Sequence, residues 1–266
     1  MAKPWEQYTK EMFERFGYMA TWTPGVQLEL GDVGVVKDRL FTRITSLKNL
    51  GIDFNIREDV TEEEQKFASS SNVSILFKAA GTAPAVGSVL TQAQAGFSIE
   101  FKKSKATVYE AVGCVAPMID DQVAVGKRIL ELNQHGDWNK DWAVVTELVK
   151  AKSATVLISN SSSAKIELSA SGTVTGVPNL GSVSAQFQLA FSKDMMTSLI
   201  SQHGLTPLFK ARAIKSNGPI GPLETANVIG ANRSALDFRT LNQAISSEDL
   251  FFGNVDVDLT GEEDVE

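Results

Sequence analysis

Between residues 73 and 101 the chain alternates with a period of two. Every odd position except Thr91 is apolar or small, from Val73, Ile75 and Phe77 through Ala79, Gly81, Ala83, Ala85, Gly87, Val89, Ala93 and Ala95 to Phe97, Ile99 and Phe101. Many even positions are polar, among them Asn72, Ser74, Lys78, Thr82, Ser88, Gln92, Gln94, Ser98, Glu100 and Lys102. This pattern predicts β-structure with one apolar face. The run is several times longer than an ordinary strand of about 5–6 residues. Its middle is built from Ala, Gly, Ser and Thr, which make a poor core. A long hairpin, apolar on one face and polar on the other, suits the wall of a membrane β-barrel. The same alternation serves a one-sided soluble antiparallel sheet.

A second region repeats the pattern. Ala154, Val156 and Ile158 alternate with Thr155, Leu157 and Ser159. Ala164, Ile166, Leu168, Ala170, Gly172 and Val174 alternate with polar neighbours. After a turn expected at Gly176–Asn179, Val183, Ala185, Phe187, Leu189 and Phe191 continue it. A membrane strand needs about 9–11 residues, so each region has room for two.

The other elements read as follows. Residues 4–16 predict a helix, with Pro4 in its first turn and Gly17 after its last. Trp5, Tyr8, Met12, Phe13 and Phe16 share one face, with Lys3, Lys10 and Arg15 around its rim. Such a face packs on a sheet or lies in a lipid interface. Short strands are expected at 26–30, 33–36, 40–44 and 47–52. The charged stretch 57–71 reads as a surface loop or short helix. A strand is expected at 106–116, a helix at 118–133, a strand at 138–150, a helix at 193–203 stopped by Gly204, and a strand at 205–215. Beyond Lys215, Ser216–Pro222 is linker-like, and residues 223–246 have room for a short helix.

Charge refines this division. The net charge of −7 is uneven, because residues 247–266 hold eight acidic side chains and no basic ones. Without those eight, 24 acidic residues face 25 Lys and Arg. The body is thus near neutral and the tail acidic, a composition that suits a solvated tail or a mask for a basic surface. Two segments result: 1–215 as the folded domain and 216–266 as linker and acidic C-terminal tail.

Candidate chemistry is sparse. No apolar stretch approaches the roughly 20 residues of a membrane helix. No signal peptide is read at Met1–Glu6, so a cytoplasmic location is expected. The lone Cys114 sits among Ala and Val, which predicts a buried, inert thiol. His135 and His203 each precede a glycine at an expected helix end and have no metal-ligand spacing. No Walker-type loop, dinucleotide fingerprint or nucleophile elbow is present. No basic stripe with interleaved aromatics suggests nucleic acid. The expectation is a non-enzyme with no catalytic residue, no cofactor and no metal.

The order of elements now supports a comparison. An aromatic-rich first helix leads into short strands, then a long small-residue hairpin, a helix and the strand Trp142–Lys150. A second long hairpin follows, and Leu205–Lys215 closes the domain. Over about residues 4–215 this resembles the pore-forming domain of gasdermins. It is similar especially to the short bacterial and fungal gasdermin-like cell-death proteins, which lack a large inhibitory domain. The segments Val144–Val149 and Leu205–Lys215 carry most of the likeness. Bacterial members tend to have a lipidatable cysteine near the N-terminus; here positions 2 and 3 are Ala and Lys.

The resemblance implies an α+β fold, with a twisted, mostly antiparallel sheet, surrounding helices and two long hairpin regions able to become membrane β-strands. It implies a pore-forming protein of regulated, pyroptosis-like cell death or defence. Such a protein is cytoplasmic when inactive and acts at the cell membrane when activated. It would oligomerise on anionic phospholipid, with copies of itself or a related gasdermin-like subunit, and an activating protease is a further implied partner. Lys3, Lys10, Arg15, Lys102, Lys103 and Lys105, with Trp5, Phe13 and Phe16, are the expected lipid contacts. Val73, Ile75, Phe77, Phe97, Ile99, Phe101, Val156, Ile158, Ile166, Leu168, Phe187, Leu189 and Phe191 are the expected membrane-inserting set. The alternative is a soluble α+β binding or scaffold protein with no membrane activity.

Overall fold

The computed structural model describes residues 3–69, 71–79, 89–90, 95–170, 174–175, 179–185, 187–216 and 250–255. These residues form a mostly antiparallel sheet structure with two α-helices. The expected turn at 176–178 and the expected short helix at 223–246 lie outside them, as do positions 80–88 and 91–94 of the first alternating run.

Helix α1 is Pro4–Phe16, and Gly17 ends it in the left-handed region at φ 72°, donating its N–H to Phe13 O at 2.8 Å. A residue with a Cβ is strained there, so glycine is the natural stop. Strands β1 (Met19–Ala20), β2 (Asp32–Lys37) and β3 (Leu40–Ser46) follow. Next come β4 (Ile56–Arg57), β5 (Glu63–Ala68), β6 (Val73–Ala79), β7 (Val89–Leu90), β8 (Ala95–Phe101), β9 (Thr107–Val115) and β10 (Met118–Ile119). Helix α2 (Gln122–His135) opens where Asp121 Oδ1 accepts from Ala124 N at 2.8 Å, an N-cap that satisfies one free helix donor. Then come β11 (Trp142–Ser159), β12 (Lys165–Ala170), β13 (Val174–Thr175), β14 (Phe187–Lys193), β15 (Met195–Ser216) and β16 (Leu250–Asn254).

The 18-residue β11 and the 22-residue β15 are the spine of the large sheet and pair with each other antiparallel. The other edge of β11 is shared in turn by β2, β10 and β9. β5 pairs the far side of β9, while β1 and β16 pair the far side of β15. A separate four-stranded antiparallel sheet has the order β6-β8-β12-β14. β7 and β13 form a small pair of their own.

Four expectations need correction. Residues 193–203 are strand, not helix: Met195, Thr197, Ser198 and Leu199 pair with Ser159, Ile158, Leu157 and Val156 of β11. Register shifts in this ladder disturb the strict period of two. Residues 63–68, expected within a surface loop or short helix, form β5, an outer strand whose charged side chains face solvent. Residues 48–50 form a 3₁₀ turn rather than a strand, and 26–30 join no ladder. The acidic-tail segment also contributes a strand, β16, whose Phe252 is fully buried against α2 and the end of β15.

Candidate functional site: the bend between two sheets

Four strands cross from the large sheet to the small one. β5 leads into β6 by a crossing in which Ser69, Ser71 and Asn72 are described, and β8 leads into β9 through Lys102–Ala106. β11 leads into β12 through Asn160–Ala164, and β14 leads into β15 through Asp194 alone. On the large side the order is β5-β9-β11-β15; on the small side it is β6-β8-β12-β14. Each strand therefore keeps its neighbours through the bend.

Hydrogen bonds run across this row without a break. Ser69 N donates to Thr107 O at 2.9 Å, Lys102 N to Asn72 O at 2.8 Å and Phe101 N to Ala164 O at 3.0 Å. Lys105 N donates to Ser159 O at 2.9 Å, and Asn160 N to Asp194 O at 2.8 Å. Three of the four crossings use a non-glycine residue with positive φ: Ser71 at 59°, Lys105 at 62° and Asp194 at 52°. For a side chain bearing a Cβ, that conformation costs roughly 1–2 kcal/mol.

The small sheet gathers much of the expected membrane-inserting set into cross-strand rows. Ile75, Ile99 and Ile166 stand opposite one another, as do Phe77, Phe97, Leu168 and Leu189. Val73 opposes Phe101, and Phe187 opposes Ala170. The rings of Phe77, Phe97 and Phe187 cluster, with centroids 5.1, 5.4 and 6.5 Å apart. Each such pair contributes about 0.5–1.5 kcal/mol beyond area burial. Phe97, Ile99, Phe101, Ile166, Leu168 and Phe187 are buried in one cluster with Val108 and Leu157 of the large sheet. Leu180 joins that cluster from the 3₁₀ turn Leu180–Ala185. The turn is pinned over the large sheet, with Ser153 Oγ donating to Gly181 O and Thr155 Oγ1 to Leu180 O, both at 2.7 Å.

Val156 and Ile158 sit elsewhere. They lie in the large sheet, in a cluster with Tyr8 and Met12 of α1. Alternation along β11 thus sends Leu157 toward the small sheet and its two neighbours toward α1. At the outer strands of the small sheet, Ile75 and Leu76 on β6 are 41% and 53% exposed, and Leu189 and Phe191 on β14 are 54% and 45%. Among the described residues β6 and β14 each pair on one side only.

The expected lipid contacts occupy two places. On α1, Trp5, Phe13 and Phe16 are half-buried and Arg15 is exposed. Lys10 is half-buried, and Lys3 is exposed but ion-paired to Asp38 at 2.5 Å. Trp5 Nε1 also reaches Asp38 O at 3.2 Å, tying the helix start to the β2–β3 turn. Lys102, Lys103 and Lys105 all lie in the crossing between β8 and β9, the first two exposed and the third half-buried.

Sequence reasoning missed the side chains that join these two places. Glu11 of α1 accepts from Ser69 Oγ at 2.8 Å, and Ser69 Oγ accepts from Thr107 N at 2.8 Å. Burial pushes the Glu11 carboxyl above its ordinary range, with the hydrogen bonds from Gln7 and Ser69 pulling the other way. The available signal was a glutamate one turn from Tyr8 and next to Met12, at the border of the helix's apolar face.

Other buried groups read as structural. Cys114 is buried and its thiol is pushed up to about 11 by desolvation. Glu147 accepts from Tyr18 OH and from Lys210 Nζ at 3.1 Å, while Lys210 lies 4.3 Å from the Tyr18 ring centroid. Among the described residues no group of His, Cys, Asp and Glu is arranged to hold a metal. No helix among them is long and apolar enough to cross a membrane. No protein-family model matches the chain, and no curated protein matches it either.

Proposed function

We propose that the protein permeabilises membranes as a gasdermin-like pore former in regulated cell death or defence, oligomerising on anionic lipid. The observation that carries this reading is the bend, where four strands pass from one sheet to the other with their order unchanged. If the bend straightened, β5–β6, β8–β9, β11–β12 and β14–β15 would become four long antiparallel strands. The apolar rows headed by Ile75 and Phe77 would then turn from the core toward hydrocarbon.

Two further features support it. Both outer strands of the small sheet expose large apolar side chains, and an open sheet edge is not tolerated in hydrocarbon. Neighbouring copies, β6 against β14, would close it. Lys102 and Lys103 sit at the bend itself, where each contact with an anionic surface contributes about 1 kcal/mol.

The test uses the full chain with dye-loaded vesicles, either neutral or containing phosphatidylserine, alongside particle sizing. Leakage from the anionic vesicles together with ring-sized particles is the expected result. A monomer that leaves both kinds of vesicle intact would replace this reading with a soluble binding or scaffold protein.

A further inference from the structure

Helix α1 and the bend are joined by a short chain of polar groups at the border of the helix's apolar face. Tyr8 and Met12 on either side of Glu11 are fully buried, and Thr9 nearly so. Glu11 therefore points a carboxylate into the seam between α1 and the sheet. Its Oε1 takes hydrogen bonds from Gln7 Nε2 and Ser69 Oγ, both at 2.8 Å. Ser69, itself buried, is the first residue of the β5–β6 crossing. Its hydroxyl accepts from Thr107 N, and its own N–H donates to Thr107 O. Thr107 is the first residue of β9, directly after the lysine-bearing crossing. One carboxylate thus touches the β5–β6 crossing directly and, through Ser69, the first residue of β9. These two crossings, β5–β6 and β8–β9, make up the first arm, and β11–β12 with β14–β15 the second.

The contact is incomplete. Glu11 Oε2 and Thr107 Oγ1 are buried, and neither reaches a full hydrogen bond. A buried acceptor with unfilled capacity costs free energy. Glu14, further along the same helix, adds like charge. The apolar face of α1 could pack on the sheet without a carboxylate; what the carboxylate adds is an acceptor for the buried Ser69 hydroxyl.

We propose that Glu11, Ser69 and Thr107 form a latch that couples the seating of α1 to the bend of the first arm, so that helix and bend open together. As a regulatory device the latch rests on the pore-forming reading, because only that reading requires the bend to open. As a physical coupling it is measurable in solution, without a membrane.

The experiment is amide hydrogen exchange on the full chain. Glu11→Ala removes the acceptor from the helix side and leaves the Ser69–Thr107 backbone pair in place; Ser69→Ala removes the middle of the chain. In both, amides of α1 and those of Asn72, Lys102 and Thr107 should exchange about tenfold faster, the effect of one lost charge-assisted hydrogen bond. Asn160, in the second arm, should keep its rate. Glu11→Gln retains an acceptor for Ser69 and offers Thr107 Oγ1 a donor, so it should restore wild-type rates or slow them. Faster exchange in α1 alone, or in the bend alone, would overturn the latch. Vesicle leakage by the wild-type chain judges the pore reading separately: coupled exchange without leakage keeps the latch and removes the pore. Should Ser69→Ala fail to fold, Glu11→Ala and Glu11→Gln decide the matter between them.

Discussion

The Phe252 side chain lies directly over Gly126: a Cβ at Gly126 would stand 3.0 Å from Phe252 Cβ and 3.1 Å from Cδ1. Helix α2 thus spends a glycine to let the C-terminal strand come close. Glycine in a helix interior costs roughly 1 kcal/mol relative to alanine, and the burial of a whole phenyl ring offsets it. Phe252→Ala should destabilise the fold by about 3–5 kcal/mol. Gly126→Val should dislodge β16 through steric overlap. Chemical denaturation of each variant reads the loss; an unchanged midpoint for Phe252→Ala would show that β16 contributes nothing to the fold.

Ser71 offers a substitution of opposite sign. It is exposed, and its φ of 59° favours glycine. Ser71→Gly should relieve about 1 kcal/mol of backbone cost, less what the more flexible unfolded chain regains. Thermal unfolding should shift upward. Because the relief belongs to the bent form, any vesicle leakage should also slow.

Lys102 and Lys103 are exposed, and no ion pair of theirs is found among the described residues. Reversing both to glutamate should leave the circular dichroism spectrum unchanged. Binding to phosphatidylserine vesicles should weaken at least tenfold, given about 1 kcal/mol per basic contact, and the difference should shrink as salt rises. Equal binding by the variant and the wild type would remove these lysines from the membrane-contact surface.

Glu11 also predicts a pH signature. Its folded carboxyl lies above the ordinary value of 4.5, chiefly through burial. The folded state therefore holds that proton more tightly than the unfolded state does. Stability from this site should rise as pH falls through the raised value toward 4.5, and the cost should be complete on the alkaline side. Asp59 works the other way: N–H groups of Ala116 and Thr61 hold its carboxyl below 3.8, so its contribution is lost in stronger acid. Comparing wild type with Glu11→Gln across pH isolates the first effect. Parallel stability curves for the two proteins would assign Glu11 no burial cost.

Much of the architecture was legible because alternation survives wherever a strand has one buried face. Val73, Ile75 and Phe77 and their partners Phe101, Ile99 and Phe97 announced their ladder in sequence. The misread stretches share a physical cause. Met195, Met196, Leu199 and Ile200 fall at helical spacings, and only the ladder to β11, with its shifted register, makes them strand. β5 is an outer strand, where charge such as Glu63, Glu64 and Lys66 protects an edge and mimics a loop. β16 depends on one ring filling a gap above Gly126, a contact across more than 120 residues that no local pattern encodes. The Glu11–Ser69–Thr107 chain was invisible for the same reason, since its members come from three elements.

The unchanged strand order across the bend has a kinetic consequence. Re-pairing a β-sheet means breaking ladders and repeating a slow search over distant partners. On the proposed reading, every ladder within one copy would keep its neighbour through the crossing, and only the outer strands β6 and β14 would gain one, from the next copy. Rotation of the small sheet would need backbone changes at the four crossings, with Ser71, Lys105 and Asp194 in three of them, and no strand would exchange a partner within the chain. On the proposed reading the topology would separate movement from refolding, so that the pairing information acquired on folding would stay intact through a change of shape.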